Sequence, residues 1–357
     1  MTERFKSLMI DGQVLTGDAL VDHAIALRRA HHDADWTCAY QGLIDELVTS
    51  DAPLSVLTSG TTGPAKRITL DRADLWASAQ LTGRTFNLKA GDRALLCLPC
   101  DFIAGKMMVV RAMALGLDLH ISDPRGSVLE NLNTQDLSRF TAMVPLQLHR
   151  AISEDRALVE QRFGTILLGG GPVSDRLVED LRELRTSIHQ SYGSTETLTH
   201  VALRALNGPS RSDAFHALGE VTFGLDVRGC LVIYTPHLST PQHITNDLVE
   251  LIDDRHFLWM GRWDNVILSG GKKIFPEQLE ARTAALLPYP HYFTAASDDR
   301  LGQAVVLVLE TDRPRDEVVP EVMSTLITAL DEHELPRRVR TVPSFDRTGS
   351  GKVIRKG

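Results

Sequence analysis

In Leu57-Thr58-Ser59-Gly60-Thr61-Thr62-Gly63-Pro64-Ala65-Lys66, hydroxyl side chains and glycines alternate directly after an apolar run, and a lysine closes the segment. Glycines let successive backbone N–H groups converge on an anion, hydroxyls add donors, and the ammonium of Lys66 adds charge. The segment therefore reads as a phosphate cradle at the end of a strand, against the plainer reading of a polar surface loop. It is not a Walker-type loop. Ala65 stands where a glycine must precede the lysine, and Arg67 replaces the hydroxyl residue that would hold Mg²⁺.

Working outward, short apolar runs alternate with amphipathic stretches. Upstream, helical spacing covers 17–30 and 40–48. Downstream, 94–98 reads as a strand, 105–115 as a helix and 165–168 as a strand ending at Gly169-Gly170-Gly171. Ser174 then caps a helix whose Leu177, Val178, Leu181 and Leu184 share a face, and 188–192 is the next strand. This alternation predicts an α/β fold with ligands gathered at strand ends and glycine turns. After Asn207 the pattern changes to strands at 231–234, 248–253 and 256–260, with a turn at Asp253-Asp254-Arg255. Past Gly261 it shifts again: a helix over 276–287, strands at 292–296 and 304–310, a helix through Val319, Val322, Leu326 and Leu330, and a last strand at 338–342. Two domains are expected, 1–262 and a small α/β unit over 263–357.

The composition fits that size. The chain has 357 residues, 43% hydrophobic and 24% charged, with a net charge of −8, so no global field attracts nucleic acid and an anionic ligand needs a local site. The four cysteines are too sparse for a disulfide framework; Cys97 and Cys100 flank Leu98-Pro99 in an apolar run and read as buried thiols rather than a zinc or redox pair. The N-terminus lacks a signal-peptide core, and no apolar stretch reaches membrane-spanning length, so a cytoplasmic protein is expected, with homo-oligomerisation left open.

Three further clusters carry chemistry. Ser191-Tyr192-Gly193-Ser194-Thr195-Glu196 offers a ring face, a hydroxyl for a phosphate and a hard oxygen for Mg²⁺, although alone it reads equally as a core ring beside a solvated carboxylate. Thr245-Asn246-Asp247 precedes Gly261-Arg262-Trp263-Asp264-Asn265 and Ser269-Gly270-Gly271-Lys272-Lys273. The chain closes on Asp346-Arg347-Thr348-Gly349-Ser350-Gly351-Lys352, a lysine among glycines.

In this order and spacing the four clusters resemble the adenylate-forming superfamily of acyl-CoA synthetases, luciferases and peptide-synthetase adenylation domains, from Leu54 to Arg355. The resemblance implies that fold, with a shortened large N-terminal AMP-binding domain and a small mobile C-terminal domain. It assigns ATP/AMP binding to Thr58, Ser59, Gly60, Thr61, Thr62, Gly63, Lys66, Gly169, Gly170, Gly171, Ser191, Tyr192, Gly193, Asp247 and Arg262. Thr195, Glu196 and Lys352 would be catalytic, Glu196 would hold Mg²⁺, Asp264 would be the hinge, and Gly270, Gly271 and Lys272 would face CoA. Three stretches, 98–111, 143–149 and 195–204, look most like o-succinylbenzoate–CoA ligases of menaquinone biosynthesis. That likeness implies an acid pocket at Phe102, Gly105, Lys106 and Arg111, with Lys106 or Arg111 pairing the acid's second carboxylate and surface exposure of both as the alternative. His149, His189 and His200 read as structural or pocket-lining.

The sequence departs from the family in three places. Pro64 comes one position early and Arg67 replaces a glycine after the phosphate loop; Asp101-Phe102 stands where an aromatic-histidine pair is usual; and the N-terminal part is short. None removes a phosphate ligand or Lys352. The expectation is an ATP-dependent acid–CoA ligase acting on o-succinylbenzoate. The alternatives are another aryl or acyl acid passed to CoA or a carrier-protein thiol, and a nucleotide-binding module without turnover.

Overall fold

The computed structural model describes residues 5–57, 67–130, 132, 137–171, 173–347 and 353–355. Thr58, Ser59, Gly60, Thr61, Thr62, Gly63, Lys66 and Lys352 lie outside them. The chain opens with β1 (Ser7–Ile10), β2 (Gln13–Thr16), α1 (Asp18–Ala30) and α2 (Asp35–Thr49). A second hairpin, β3 (Leu54–Leu57) and β4 (Arg67–Leu70), leads to α3 (Arg72–Thr85), β5 (Arg93–Leu96), α4 (Ile103–Leu115) and β6 (Asp118–Ile121). Then come β7 (Ser138–Met143), α5 (Pro145–Arg162), β8 (Phe163–Leu168), α6 (Asp175–Leu181) and β9 (Ser187–Gly193). The strands β10 (His200–Ala205), β11 (Phe215–Ala217), β12 (Thr222–Leu225), β13 (Cys230–Tyr234), β14 (Gln242–Asp253) and β15 (His256–Arg262) follow without a helix. After a 3₁₀ turn at Trp263–Asn265 come β16 (Ile267–Ser269), β17 (Lys272–Ile274), α7 (Pro276–Thr283), β18 (His291–Asp298), β19 (Gly302–Glu310), α8 (Arg315–Ala329) and β20 (Arg338–Val342).

A 13-stranded sheet has the order β12-β13-β14-β15-β11-β10-β9-β8-β7-β5-β6-β1-β2. Its middle, β1, β6, β5, β7, β8 and β9, is parallel, and β9 then pairs antiparallel with β10. The parallel strands are short apolar runs such as Ala94-Leu95-Leu96 and Ile166-Leu167-Leu168, buried as strands covered on both faces must be. α4 is apolar nearly all round; Met107, Met108, Val109, Val110 and Ala112 are fully buried, so it is a core helix that carries one cation, Arg111, into the interior. The second sheet, β17-β16-β19-β18 with β20 beside β19, has its own core of Phe293, Val305, Leu307, Leu309, Val318, Val322 and Leu326.

The α/β alternation is as expected, with local corrections. The helix expected over 276–287 stops at Thr283, because the N–H groups of Leu286 and Leu287 turn back to the Thr283 carbonyl and Leu286 is left exposed. The helix capped by Ser174, whose Oγ accepts from Leu177 N at 3.2 Å, ends at Leu181; Leu184 joins the same core from the turn beyond. Cys97 and Cys100 are buried thiols, pushed up to about 12 by burial. Among the described residues no helix is long and apolar enough to cross a membrane.

Candidate active site

Parallel strands gather their functional residues at the carboxyl ends, where the following loops open. β5, β7, β8 and β9 end together, and short bonds tie their loops. Gly169 N donates to Met143 O at 3.0 Å, Ser191 Oγ donates to Leu168 O at 2.8 Å, and Gln147 Nε2 donates to Cys97 O at 2.8 Å. Gly169, Gly170, Gly171, Ser191, Tyr192, Gly193 and the start of α4 thus share one edge. The β3–β4 register, Leu57 opposite Arg67, also brings the two ends of the expected phosphate loop side by side.

The turn between β9 and β10 is tightly built. Ser194 N donates to Thr197 Oγ1 at 2.9 Å, that hydroxyl donates to Thr199 O at 2.8 Å, and Leu198 sits at φ 62°. At Gly193 a Cβ would lie 2.1 Å from Thr199 O, so only glycine lets the two strands cross here. Gly193→Ala should cost about 1–3 kcal/mol by overpacking and move Thr199. Thermal melts together with the acid KM check this, and an unchanged Tm with unchanged KM would show that the crossing is looser. Thr195 is half-buried in this turn, and Glu196 projects outward, exposed and without a hydrogen-bond partner among the described residues. Its charge is felt at His243. One uncommitted carboxylate fits Mg²⁺ held mainly by substrate phosphates and water.

Tyr192 turns one edge onto Phe257 and Phe215, at 5.0 and 5.5 Å between ring centroids, and its hydroxyl donates to Asp247 Oδ2 at 2.6 Å. Burial first, then the Asp247 charge, push the phenol well above its ordinary range, so it remains a donor. Asp247 lies opposite Arg262 in the β14–β15 register, with Arg262 Nη1 3.7 Å from its Oδ1. Arg262 Nη2 also donates to Asp264 Oδ2 at 2.9 Å, and Asn246 Nδ2 reaches both Asp264 oxygens at 3.2 Å. Burial works against the Arg262 charge, but the Asp264 bond and the Asp247 field hold its pKa above the usual value. Its Nε is buried with no partner among the described residues, a donor suited to an incoming anion.

The acid-pocket residues separate. Arg111 is 1% exposed and meets no carboxylate among the described residues. Nη2 donates to Thr199 Oγ1 at 2.6 Å, Nε donates to Thr82 Oγ1 at 3.2 Å, and among the described residues Nη1 reaches only the Met108 sulfur at 3.7 Å. Burial pushes it down to about 9, so it is a cation at neutral pH. The alternative of surface exposure is thereby corrected for Arg111: its head is buried against Thr82, Thr199 and Met108. Lys106, one turn into α4, is half-buried beside Cys100. Phe102 is the half-buried residue preceding α4, and Gly105 lets the helix start against the Pro99 carbonyl, 2.3 Å from where a Cβ would stand. His200 is buried and His189 half-buried next to Phe86, whereas His149 is exposed on α5.

Gly270 and Gly271, at φ 58° and 79°, form the two-residue turn of the β16–β17 hairpin, and Lys272 is exposed at its end. Lys273 Nζ stands 5.7 Å from the ring centroid of Trp263, beside Asp264. Val353 pairs with Arg347, and Arg355 donates to Glu280 at 2.6 and 2.7 Å. Lys352 is thus bracketed along the chain by residues fixed to the second sheet. Sequence reasoning gave no role to Thr82, Glu280 or Arg355; their partners are far away in sequence and leave no local pattern.

The AMP-binding enzyme family model matches residues 16–228, more than half of the chain. The chain belongs to the AMP-binding enzyme family. The match covers Arg111, the Gly169–Gly171 segment and the Tyr192–Glu196 turn. Among curated relatives, a 2-succinylbenzoate–CoA ligase of Bacillus licheniformis is 27% identical over 87% of this chain and 70% of its own length. A probable 2-succinylbenzoate–CoA ligase of Mycobacterium tuberculosis is 29% identical over 87% and 85%. An AMP-forming acyl-CoA synthetase/AMP-acid ligase II-like protein from Dyadobacter fermentans is 37% identical, with TM-score 0.59, over 89% of this chain and 92% of its own. The fold is also that of o-succinylbenzoate CoA synthetase from Bacillus subtilis in complex with its acyl-adenylate intermediate, at TM-score 0.77 and 18% identity over 98% and 94%.

Proposed function

We propose that this AMP-binding enzyme is a cytoplasmic ATP-dependent acid–CoA ligase that converts o-succinylbenzoate to o-succinylbenzoyl-CoA through an acyl-adenylate, a step of menaquinone biosynthesis. The observation that carries the reading is the buried cation Arg111, which meets no carboxylate among the described residues and is joined through Thr199 to the turn that follows Tyr192 and bears Glu196. A substrate with two carboxylates spans that arrangement: one is activated at the nucleotide, the other meets the guanidinium. The names of the 2-succinylbenzoate–CoA ligases among the relatives support the same acid.

In the first step a carboxylate oxygen attacks the α-phosphorus of ATP, and pyrophosphate leaves. Negative charge approaches negative charge, so the site must supply donors that strengthen as the pentavalent centre forms. In this proposal Asp247 receives the ribose hydroxyls, Arg262 turns its unpartnered Nε toward the nucleotide, and Thr195, the 58–66 loop and Lys352 donate to the phosphates. Glu196 would hold Mg²⁺, which when bound neutralises phosphate charge. In the second step the CoA thiolate attacks the acyl carbonyl and AMP leaves. The proposed domains, 1–262 and 263–357, meet where β15 ends and the second sheet begins. Rotation about Asp264 would withdraw Lys352 and bring Gly270, Gly271 and Lys272 toward the thiol's path.

Asp264→Pro should spare adenylate formation and abolish thioester formation, while Asp264→Ala, which removes only the carboxylate that holds Arg262, keeps both steps. Equal loss of the two steps in the proline variant would remove the hinge role. The function itself is tested by pyrophosphate release over a panel of aryl and acyl acids, with and without CoA. Release confined to o-succinylbenzoate is expected, and preference for a monocarboxylic acid would replace this substrate.

A further inference from the structure

The donors and acceptors around Arg111 close into a ring. Thr199 Oγ1 accepts from Arg111 Nη2 at 2.6 Å and lies 3.0 Å from His200 Nδ1. Thr82 Oγ1 donates to Ser78 O at 3.1 Å, accepts from Arg111 Nε at 3.2 Å, and lies 3.4 Å from His200 Nε2. With the Thr82 proton on Ser78 O, a His200 ring protonated at Nε2 donates to Thr82, and its Nδ1, 3.5 Å from Arg111 Nη2, accepts from Thr199. Each hydroxyl then donates once and is used twice or once as an acceptor, with no clash of protons.

This arrangement has two consequences. Nε and Nη2 are both held, so the plane of the guanidinium is fixed by α3 and the β9–β10 turn together, and Nη1, which among the described residues meets only a thioether, is the edge left for a ligand. His200 is neutral, for a second positive charge here would face Arg111 with His189 also nearby; its pKa lies well below the ordinary value, through burial first and then these two neighbours. The site therefore holds a single positive charge.

We infer that Thr82 and His200 are positioning residues for Arg111, which fix its open edge toward one carboxylate and make the pocket selective for acids with a second, distal carboxylate. The inference rests on the role proposed for Arg111. It implies that removing the Thr82 hydroxyl leaves the charge in place but lets the guanidinium turn.

The test compares o-succinylbenzoate with its distal monomethyl ester in the adenylation assay. Thr82→Val should raise the KM for the diacid about 10-fold, the effect of one charge-assisted hydrogen bond, with kcat and the ester's KM unchanged, and Thr82→Ser should restore the preference. Equal effects on both acids, or none, would overturn the positioning role. Nitrogen-15 spectra of the unsubstituted protein provide a reading that does not depend on a variant folding: a neutral His200 protonated at Nε2 is expected, and an Nδ1-protonated or cationic ring would contradict the inference. Arg111→Met separates the two levels. If it leaves the diacid preference intact, the proposed reading of Arg111 falls; if it abolishes the preference while Thr82→Val does not, only the positioning role falls.

Discussion

Lys352→Ala is expected to slow acyl-adenylate formation by about 10²–10³-fold, the range found when one transition-state donor is removed. The attacking carboxylate and the α-phosphate both carry negative charge, and the charge on the phosphoryl oxygens is concentrated most as the new bond forms. A lysine ammonium placed there meets that charge directly. The described residues that follow it are tied to the second sheet and its helix. Val353 pairs with Arg347, Ile354 N donates to Asp346 O at 2.8 Å, and the Arg355 guanidinium grips Glu280 and the Phe293 carbonyl. Acid-dependent pyrophosphate exchange reads the first step, and thioester formation from supplied acyl-adenylate and CoA reads the second. The first should collapse and the second stay within about threefold; an equal loss in both would mean that the lysine acts on the fold rather than on the phosphate.

Arg111→Met should have the second large effect, and it should split by substrate. Truncating one partner of a buried charge pair costs about 2–5 kcal/mol of binding, which raises the KM for o-succinylbenzoate roughly 30-fold to several thousand-fold. An aryl acid without the second carboxylate should bind the variant as well as before, or better. Stability should move the other way. Arg111 is buried with no counter-ion among the described residues, an arrangement that costs folding free energy, and methionine of similar length fills the same space without a charge. The Tm is expected to hold or rise while activity on the diacid falls, the usual exchange at a site kept for function. An unchanged KM for the diacid would remove the assignment, whatever the Tm does.

What could be read in the sequence was what local physics writes there. α4 followed from an apolar run interrupted only by Gly105, Lys106 and Arg111, and the α6 cap from Ser174. The β1–β2 hairpin was missed, although Asp11-Gly12 turns it at φ 47° and 80°, because four-residue strands carry too little alternation to stand out. The nucleotide-site candidates were legible because they sit in compact motifs. The acid pocket was legible only in part. Arg111 was conspicuous as a charge among Met107, Met108, Val109 and Val110, but its holders Thr82 and Thr199 lie 29 and 88 residues away along the chain. Only the sheet order, which brings the start of β10 against the end of β9, places Thr199 and His200 over that helix.

A crystal structure with a non-hydrolysable analogue of the o-succinylbenzoyl adenylate would measure the decisive distance. The account predicts a distal carboxylate oxygen about 2.8 Å from Arg111 Nη1, with the ribose hydroxyls on Asp247. A distal carboxylate left in solvent, or bound to another side chain while Arg111 keeps its present contacts, would contradict it.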